Sequence, residues 1–387
     1  MKTYWRSIEE LTNPQEVRRQ EVREEAKQKS LLLKGDQKLN AASRRDFLKT
    51  FGFSLAAASI VASCKRPVEK AIPYLVKPEE ITPGKASFYA SSYFDANEYG
   101  SILVKVRDGR PIKIEGNNLS SVSQGGTSAR IQASVLNLYD DARFKGPSKG
   151  GQEITWDKAD QEIASSLAGI KNTNGKVVLL SSTIISPSTK KIIQRFAEKQ
   201  GNTDWIQYDP VSASGILQAN LKTFGQSFIP DYRFEKAKVI VSFGADFLGS
   251  WLSVVEYTKG YTAARNLQDG RKEMLRHYQF ESGMTLSGSN ADVRFPIKPS
   301  EEGAIVLALY NQIAQAKGAP VFSGVKSPVD VSELATELLE NQKASLVISG
   351  SNDVNIQLLV NGINELLGNY GETIALNRPL LTRQGLD

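Results

Sequence analysis

From Lys176 onward, short apolar runs alternate with stretches of helical periodicity, and that alternation limits this part of the chain to an α/β fold. Residues 177–180 (VVLL) read as a buried strand, 188–200 as an amphipathic helix closed by Gly201, 205–208 as a second strand and 213–223 as a second helix. A third strand is expected at 238–244, helices at 302–316, 331–341 and 354–367, and a further strand at 344–349. Strands separated by helices are joined by crossovers, so the pattern predicts a doubly wound, mostly parallel sheet covered on both faces. In such sheets ligands sit beyond the carboxyl ends of the strands, where the strand order reverses. That marks Ser181, Ser182 and Thr183, and Gly244, Ala245 and Asp246, as places where a cofactor would lie, although small polar residues at a strand end also serve as plain turns.

Ahead of the α/β pattern, residues 102–114 alternate polar and apolar side chains around Asp108-Gly109, a hairpin signal. Residues 124–127 (QGGT) read as a turn, and 156–167 has helical apolar spacing. The chain therefore divides into a charged stretch at 1–42, an export-type segment at 43–63, a proline-rich linker at 64–95, a small β-rich unit at 96–160 and the α/β domain at 161–387.

The formal charge is +6, but Arg18, Arg19, Arg23, Lys27, Lys29, Lys34, Lys38, Arg44, Arg45 and Lys49 crowd the beginning of the chain. The rest is close to balanced, which argues against a nucleic-acid footprint. The chain has 1 cysteine and 1 histidine. A lone thiol forms no internal disulfide and holds no iron-sulfur cluster, and a lone imidazole rules out the usual His-rich metal sites. That histidine, His277, sits in the charged segment RKEMLRHYQF and reads as a surface residue.

Residues 51–63 (FGFSLAAASIVAS) are too short to span a bilayer and are rich in small side chains, as in a signal-peptide apolar core. Ser43-Arg44-Arg45-Asp46-Phe47-Leu48-Lys49 stands before them and matches a twin-arginine export signal, with Arg44, Arg45, Phe47 and Leu48 as its defining residues. The run closes on Val61-Ala62-Ser63-Cys64, a loose lipobox, which makes Cys64 a lipid-attachment point; the alternative is a small thiol without a role.

The stretch from Tyr4-Trp5-Arg6-Ser7 through the twin arginine to Lys65-Arg66-Pro67 resembles the molybdopterin-oxidoreductase-like iron-sulfur subunit of bacterial alternative complex III, a respiratory quinol-oxidising assembly. In that family a long segment ahead of the signal is usual. Further similarity lies in Pro78-Glu79-Glu80-Ile81-Thr82-Pro83-Gly84, in residues 104–117 (VKVRDGRPIKIEGN), and in the order of 138–143, Gly146-Pro147 and 154–159.

The resemblance implies a molybdopterin-oxidoreductase-like fold of which these residues form the N-terminal part. It also implies export to the periplasmic side of the bacterial inner membrane with a lipid anchor at Cys64. Partners implied are a ferredoxin-like part carrying iron-sulfur clusters outside these residues, a multihaem cytochrome subunit and polytopic quinol-binding membrane subunits. Where relatives place a cluster cysteine, the chain reads Gly125-Gly126-Thr127-Ser128-Ala129. Their Gly-x-Asn-Pro turn is Gly244-Ala245-Asp246-Phe247, and their Pro-Gly-x-Asp turn is Pro299-Ser300-Glu301-Glu302. The expectation is a chain with no catalytic, cofactor or metal residues of its own and with molybdopterin lost, acting as a scaffold. The alternative is an active periplasmic molybdopterin oxidoreductase whose metal is held by Ser212 or Ser214.

Overall fold

The computed structural model describes residues 82, 84–95, 98–267, 273–324 and 326–385. The chain divides into two units, Met1–Lys77 and Pro78–Asp387, and the first lies outside the described residues. Arg44, Arg45, Phe47, Leu48 and Cys64 fall there. Among the described residues, no helix is long and apolar enough to cross a membrane.

The second unit opens with an antiparallel meander of β1 (Ala86–Phe94), β2 (Tyr99–Arg107) and β3 (Arg110–Gly116). β1 lies inside the stretch expected to be linker: all nine of its residues pair with β2. Its sequence, ASFYASSYF, alternates too weakly to announce a strand and is held by pairing more than by burial. The β2–β3 turn is the expected one, since Asp108 (φ 49°) and Gly109 (φ 78°) both adopt the left-handed conformation that a two-residue hairpin turn demands. Ile102 and Ile114 from this meander pack with Ile131 of α1 (Ala129–Ala133), whose N-terminus is capped by the Ser128 hydroxyl.

After the short β4 (Ser148–Lys149) and β5 (Gln152–Glu153), α2 (Trp156–Asn172) begins at a Thr155 cap that accepts from the Lys158 N–H. Next come β6 (Val177–Ser181), α3 (Pro187–Gln200) and β7 (Thr203–Gln207). β6 and β7 pair in parallel as a sheet of only two strands. Pro187 at the start of α3 and Gly201 (φ 94°) at its end fix that helix where the sequence places it.

The main sheet comes later. α4 (Ser214–Phe224) and β8 (Ile229–Tyr232) lead into β9 (Val239–Phe243), α5 (Val254–Ala264), β10 (Arg276–Glu281), α6 (Leu286–Ser289) and β11 (Val293–Pro296). α7 (Glu302–Lys317), α8 (Ser332–Glu340), β12 (Ser345–Ser349), α9 (Val354–Leu366) and β13 (Ile374–Leu380) complete it. Four strands pair in parallel in the order β11-β10-β9-β12, while β13 pairs antiparallel with β8. Side-chain alternation divides the core in two. Ile240, Leu346 and Ile348 face Leu217, Phe247, Tyr257 and Tyr261 on one side. Val241, Phe243, Phe280 and Val347 face Ile305, Leu309, Leu338 and Ile363 on the other. The strand order reverses between β9 and β12, so the switch point of this sheet lies at the carboxyl ends of those two strands.

Candidate functional site

At the switch point the two strand ends close on each other. The Gly350 N–H donates to the Phe243 carbonyl at 2.7 Å, and a side chain at Gly350 would come within 2.6 Å of the Gly244 carbonyl oxygen, so only glycine fits. The Glu302 carboxylate at the start of α7 hangs over Gly244 and accepts from the Ser349 hydroxyl at 2.8 Å. Burial raises its pKa, and the Ser349 bond offsets part of the rise. Asp246 accepts from both the N–H and the hydroxyl of Ser287, tying the turn after β9 to α6.

Several of the other expected positions bond within the fold. The Thr183 N–H and hydroxyl both donate to the Asp209 carboxylate, at 2.9 and 2.5 Å, fastening the end of β6 to the loop after β7. Ser181 accepts from the Trp205 indole. Ser212 and Ser214, the candidate metal ligands, share a hydrogen bond of 2.8 Å, and Asn352 donates to Ser214 while accepting from the Gly215 N–H. In residues 125–129 the Ser128 hydroxyl caps α1 and donates to Glu98.

Two cavities flank α5. One, of about 520 Å³, lies among Thr127, Ser128, Arg130, Leu248, Lys259 and Leu286, close to the ends of β9 and β10. The other, of about 290 Å³, is lined by Tyr99, Val122, Ile185 and Leu381 on its apolar side and by Asp231, Glu256, Tyr257 and Arg378 on its polar side. Burial, with the Asp231 carboxylate beside it, pushes the Glu256 carboxyl up to about 7, while the Arg378 guanidinium and the Ser253 hydroxyl pull the other way. Arg378 lies 3.6 Å from Glu256 and 3.9 Å from Asp231. The Tyr257 hydroxyl is buried with no hydrogen-bond partner among the described residues, and burial raises its pKa. A carboxyl group that ionises near neutrality beside an unpaired phenol can hold or pass a proton. No motif announces this group, because residues 231, 256 and 378 meet only through the pairing of β8 with β13 and the packing of α5.

His277 corrects the sequence reading: it is fully buried on β10. It begins a polar row along one face of that strand, in which Tyr261 contacts Nδ1 at 3.4 Å, Nε2 meets the Gln279 side chain at 3.1 Å, and Gln279 donates to Glu281. Glu281 is held below its ordinary pKa despite burial, because Thr285 and Arg294 donate to it. Burial pushes His277 the other way, down to about 4, so it is a neutral structural residue at physiological pH.

Against known proteins, no family model matches the chain. It is 24% identical over 234 residues to the menaquinone reductase, molybdopterin-binding-like subunit, of Nitratidesulfovibrio vulgaris, covering 58% of this chain and 33% of that protein. It is also 24% identical over 220 residues to the arsenate respiratory reductase molybdopterin-containing subunit of a Shewanella species, covering 53% of this chain and 25% of that one. Among solved structures, acetylene hydratase from Pelobacter acetylenicus superimposes with a TM-score of 0.52 at 15% identity, over 72% of this chain and 43% of that one. The chain spans a quarter to a third of the length of these curated relatives. Its homologues are thus molybdopterin-type oxidoreductase subunits, and its fold is shared with acetylene hydratase.

The switch point itself, between the ends of β9 and β12, does not fit a phosphate-bearing pterin cofactor. Such a group needs N–H donors or cations about its phosphates. At the ends of β9 and β12 stand the carboxylates Asp246 and Glu302, and Arg294 is committed to Glu281 at 2.6 Å; the cations Arg130 and Lys259 lie instead on the neighbouring cavity of about 520 Å³. Among the described residues, no group of three or more His, Cys, Asp or Glu could hold a metal ion.

Proposed function

We propose that this chain is a non-catalytic scaffold: part of a degenerate molybdopterin-fold subunit in a membrane-bound, quinol-oxidising electron-transfer complex of the alternative complex III type. In this role it is exported by the twin-arginine route, anchored by lipid at Cys64 on the periplasmic side, and positions iron-sulfur clusters borne by a ferredoxin-like part beside multihaem cytochrome and polytopic membrane subunits.

The observation that carries the reading is the switch point, where Glu302 hangs over Gly244 and the strand ends close through Gly350. An anionic cofactor would meet close backbone contact and the Asp246 and Glu302 carboxylates there. The serines available to a metal are bonded to each other, and Ser214 also accepts from Asn352. The name of the Nitratidesulfovibrio relative, a molybdopterin-binding-like subunit, is in keeping with such a part.

Metal analysis of the complex purified with this chain tests the reading. Iron without stoichiometric molybdenum or tungsten is expected, and one molybdenum per chain overturns it in favour of an active oxidoreductase. Mass spectrometry of the mature N-terminus tests the anchor, with an acylated Cys64 expected and an unacylated terminus at Met1 against it.

A further inference from the structure

The cavity of about 290 Å³ beside α5 gathers polar groups that the fold leaves unsatisfied. Tyr257 and Thr382 both line it, and the hydroxyl of each is buried with no hydrogen-bond partner among the described residues. Tyr257 is 1% exposed and Thr382 3%. The Tyr257 ring is clamped by Phe234 and Trp251, at centroid distances of 4.8 and 5.7 Å, and lies near enough to Asp231 and Glu256 to feel both charges. The ion pairs around it are loose. Asp231 stands 3.7 Å from Arg233 and 3.9 Å from Arg378, and Glu256 stands 3.6 Å from Arg378, all beyond hydrogen-bond distance. Glu256 also accepts from the Ser253 hydroxyl at 3.3 Å. Buried hydroxyls are nearly always bonded, so two orphans on one cavity, beside carboxylates held off their cations, mark a place where a bound molecule supplies the missing partners.

The walls limit what that molecule is. Val122, Ile185 and Leu381 give it an apolar side, and the volume, at the low end for ligand pockets, suits a single ring with one substituent. Two carboxylates face two guanidiniums, so a charged ligand would unbalance the set and a neutral one leaves it intact. Asp231 and Glu256 call for an N–H donor, while the Tyr257 and Thr382 hydroxyls each have a proton to donate to an acceptor. A primary carboxamide carries both functions on one planar group. We propose that this cavity binds a small uncharged amide: its NH₂ donates to Asp231 and Glu256, its carbonyl accepts from the Tyr257 hydroxyl, and its ring packs on Val122, Ile185 and Leu381. The Thr382 hydroxyl supplies a further donor to the same carbonyl.

The inference does not rest on the scaffold reading, and its test is blind to molybdenum. Fluorine NMR with the full chain compares 4-fluorobenzamide, 4-fluorobenzoate and 4-fluorobenzylammonium, which share one ring and are neutral, anionic and cationic. Saturable binding of the amide is expected, at least tenfold tighter than that of either ion. Tyr257→Phe should weaken amide binding at least fivefold and leave the melting temperature unchanged or raised, because it removes a buried hydroxyl that has no partner in the free chain. Val122→Phe, which fills the apolar side, should abolish binding. Equal or tighter binding of either ion overturns the inference, as does amide binding that survives both substitutions. No saturable binding of any probe means that the cavity holds water only, and overturns it too. A marked fall in the melting temperature of Tyr257→Phe would show that the hydroxyl is bonded within the fold, with the same consequence.

Discussion

The two parallel sheets of this protein are built by the same local rules and reach opposite ends of the burial scale. In the main sheet every residue of β9 and β12 is buried, with a separate core on each face. In β6 and β7 no residue is fully buried. Strand and helix signals are as clear in 177–207 as in 238–349, so local propensity does not explain the difference. The main sheet is closed by α4, α5, α7, α8 and α9, whereas the β6–β7 pair has α3 packed against β7 and leaves Val178, Leu180 and Ile206 exposed. Secondary structure is thus specified locally, while burial depends on how many layers the chain itself provides.

Truncating a core side chain challenges this contrast most severely. Phe280 is fully buried and stacks between Phe243 at 4.9 Å and Phe295 at 4.6 Å. Phe280→Ala should lose about 3–5 kcal/mol in urea unfolding, the cost of a large cavity in a closed core. A loss below about 1 kcal/mol would mean that the main sheet is as open as the small one.

The polar groups packed against the main sheet extend the contrast to pH. The pKa of His277 is lowered from 6.5 to about 4 in the folded chain, so between those values the unfolded chain takes up the proton and the folded one does not. Stability contributed by the neutral ring is full above pH 6.5 and falls by about 3 kcal/mol as pH drops to 4. His277→Gln should flatten that part of the melting curve against pH. A variant that keeps the wild-type slope would assign it to other groups around the ring, such as Asp292 or Glu281.

Glu256 has the opposite sign. Its pKa rises from 4.5 to about 7 on folding, so its contribution is full below 4.5 and is lost as pH rises through 7. Glu256→Gln is expected to gain roughly 1–3 kcal/mol at pH 8 and little at pH 4.5, read from thermal melts at the two pH values. Equal effects at both would show that the carboxyl ionises normally. The smallest effect belongs to the small sheet: Leu180→Ala should change unfolding free energy of the isolated chain by less than about 0.5 kcal/mol.

Much of the main architecture is legible in the sequence because it rests on local periodicity. The strands at 177–180, 238–244 and 344–349 and the helices at 188–200, 302–316 and 354–367 each emerge within a residue or two of their expected bounds. β10 is not legible. Its sequence RHYQFE puts His277, Gln279 and Glu281 inward, so the polar residues that signal a surface are the ones the fold buries. β1 reads as linker because its strand character comes from pairing with β2. At the candidate site, the carboxylates Asp246 and Glu302 are visible in the sequence at the turns that the resemblance singles out. The cavity beside Glu256 is not, since Asp231, Glu256 and Arg378 are far apart in sequence.

The polar row on β10 also acts as an alignment key. Tyr278 and Phe280 face the aliphatic layer of α7 and α8, and His277, Gln279 and Glu281 face partners that accept or donate to each of them. A slip of one residue along β9 would turn three polar side chains into the aliphatic layer and leave Asp292, Arg294 and Thr285 without their counterparts. One buried line of hydrogen bonds thereby excludes the neighbouring registers of the central sheet.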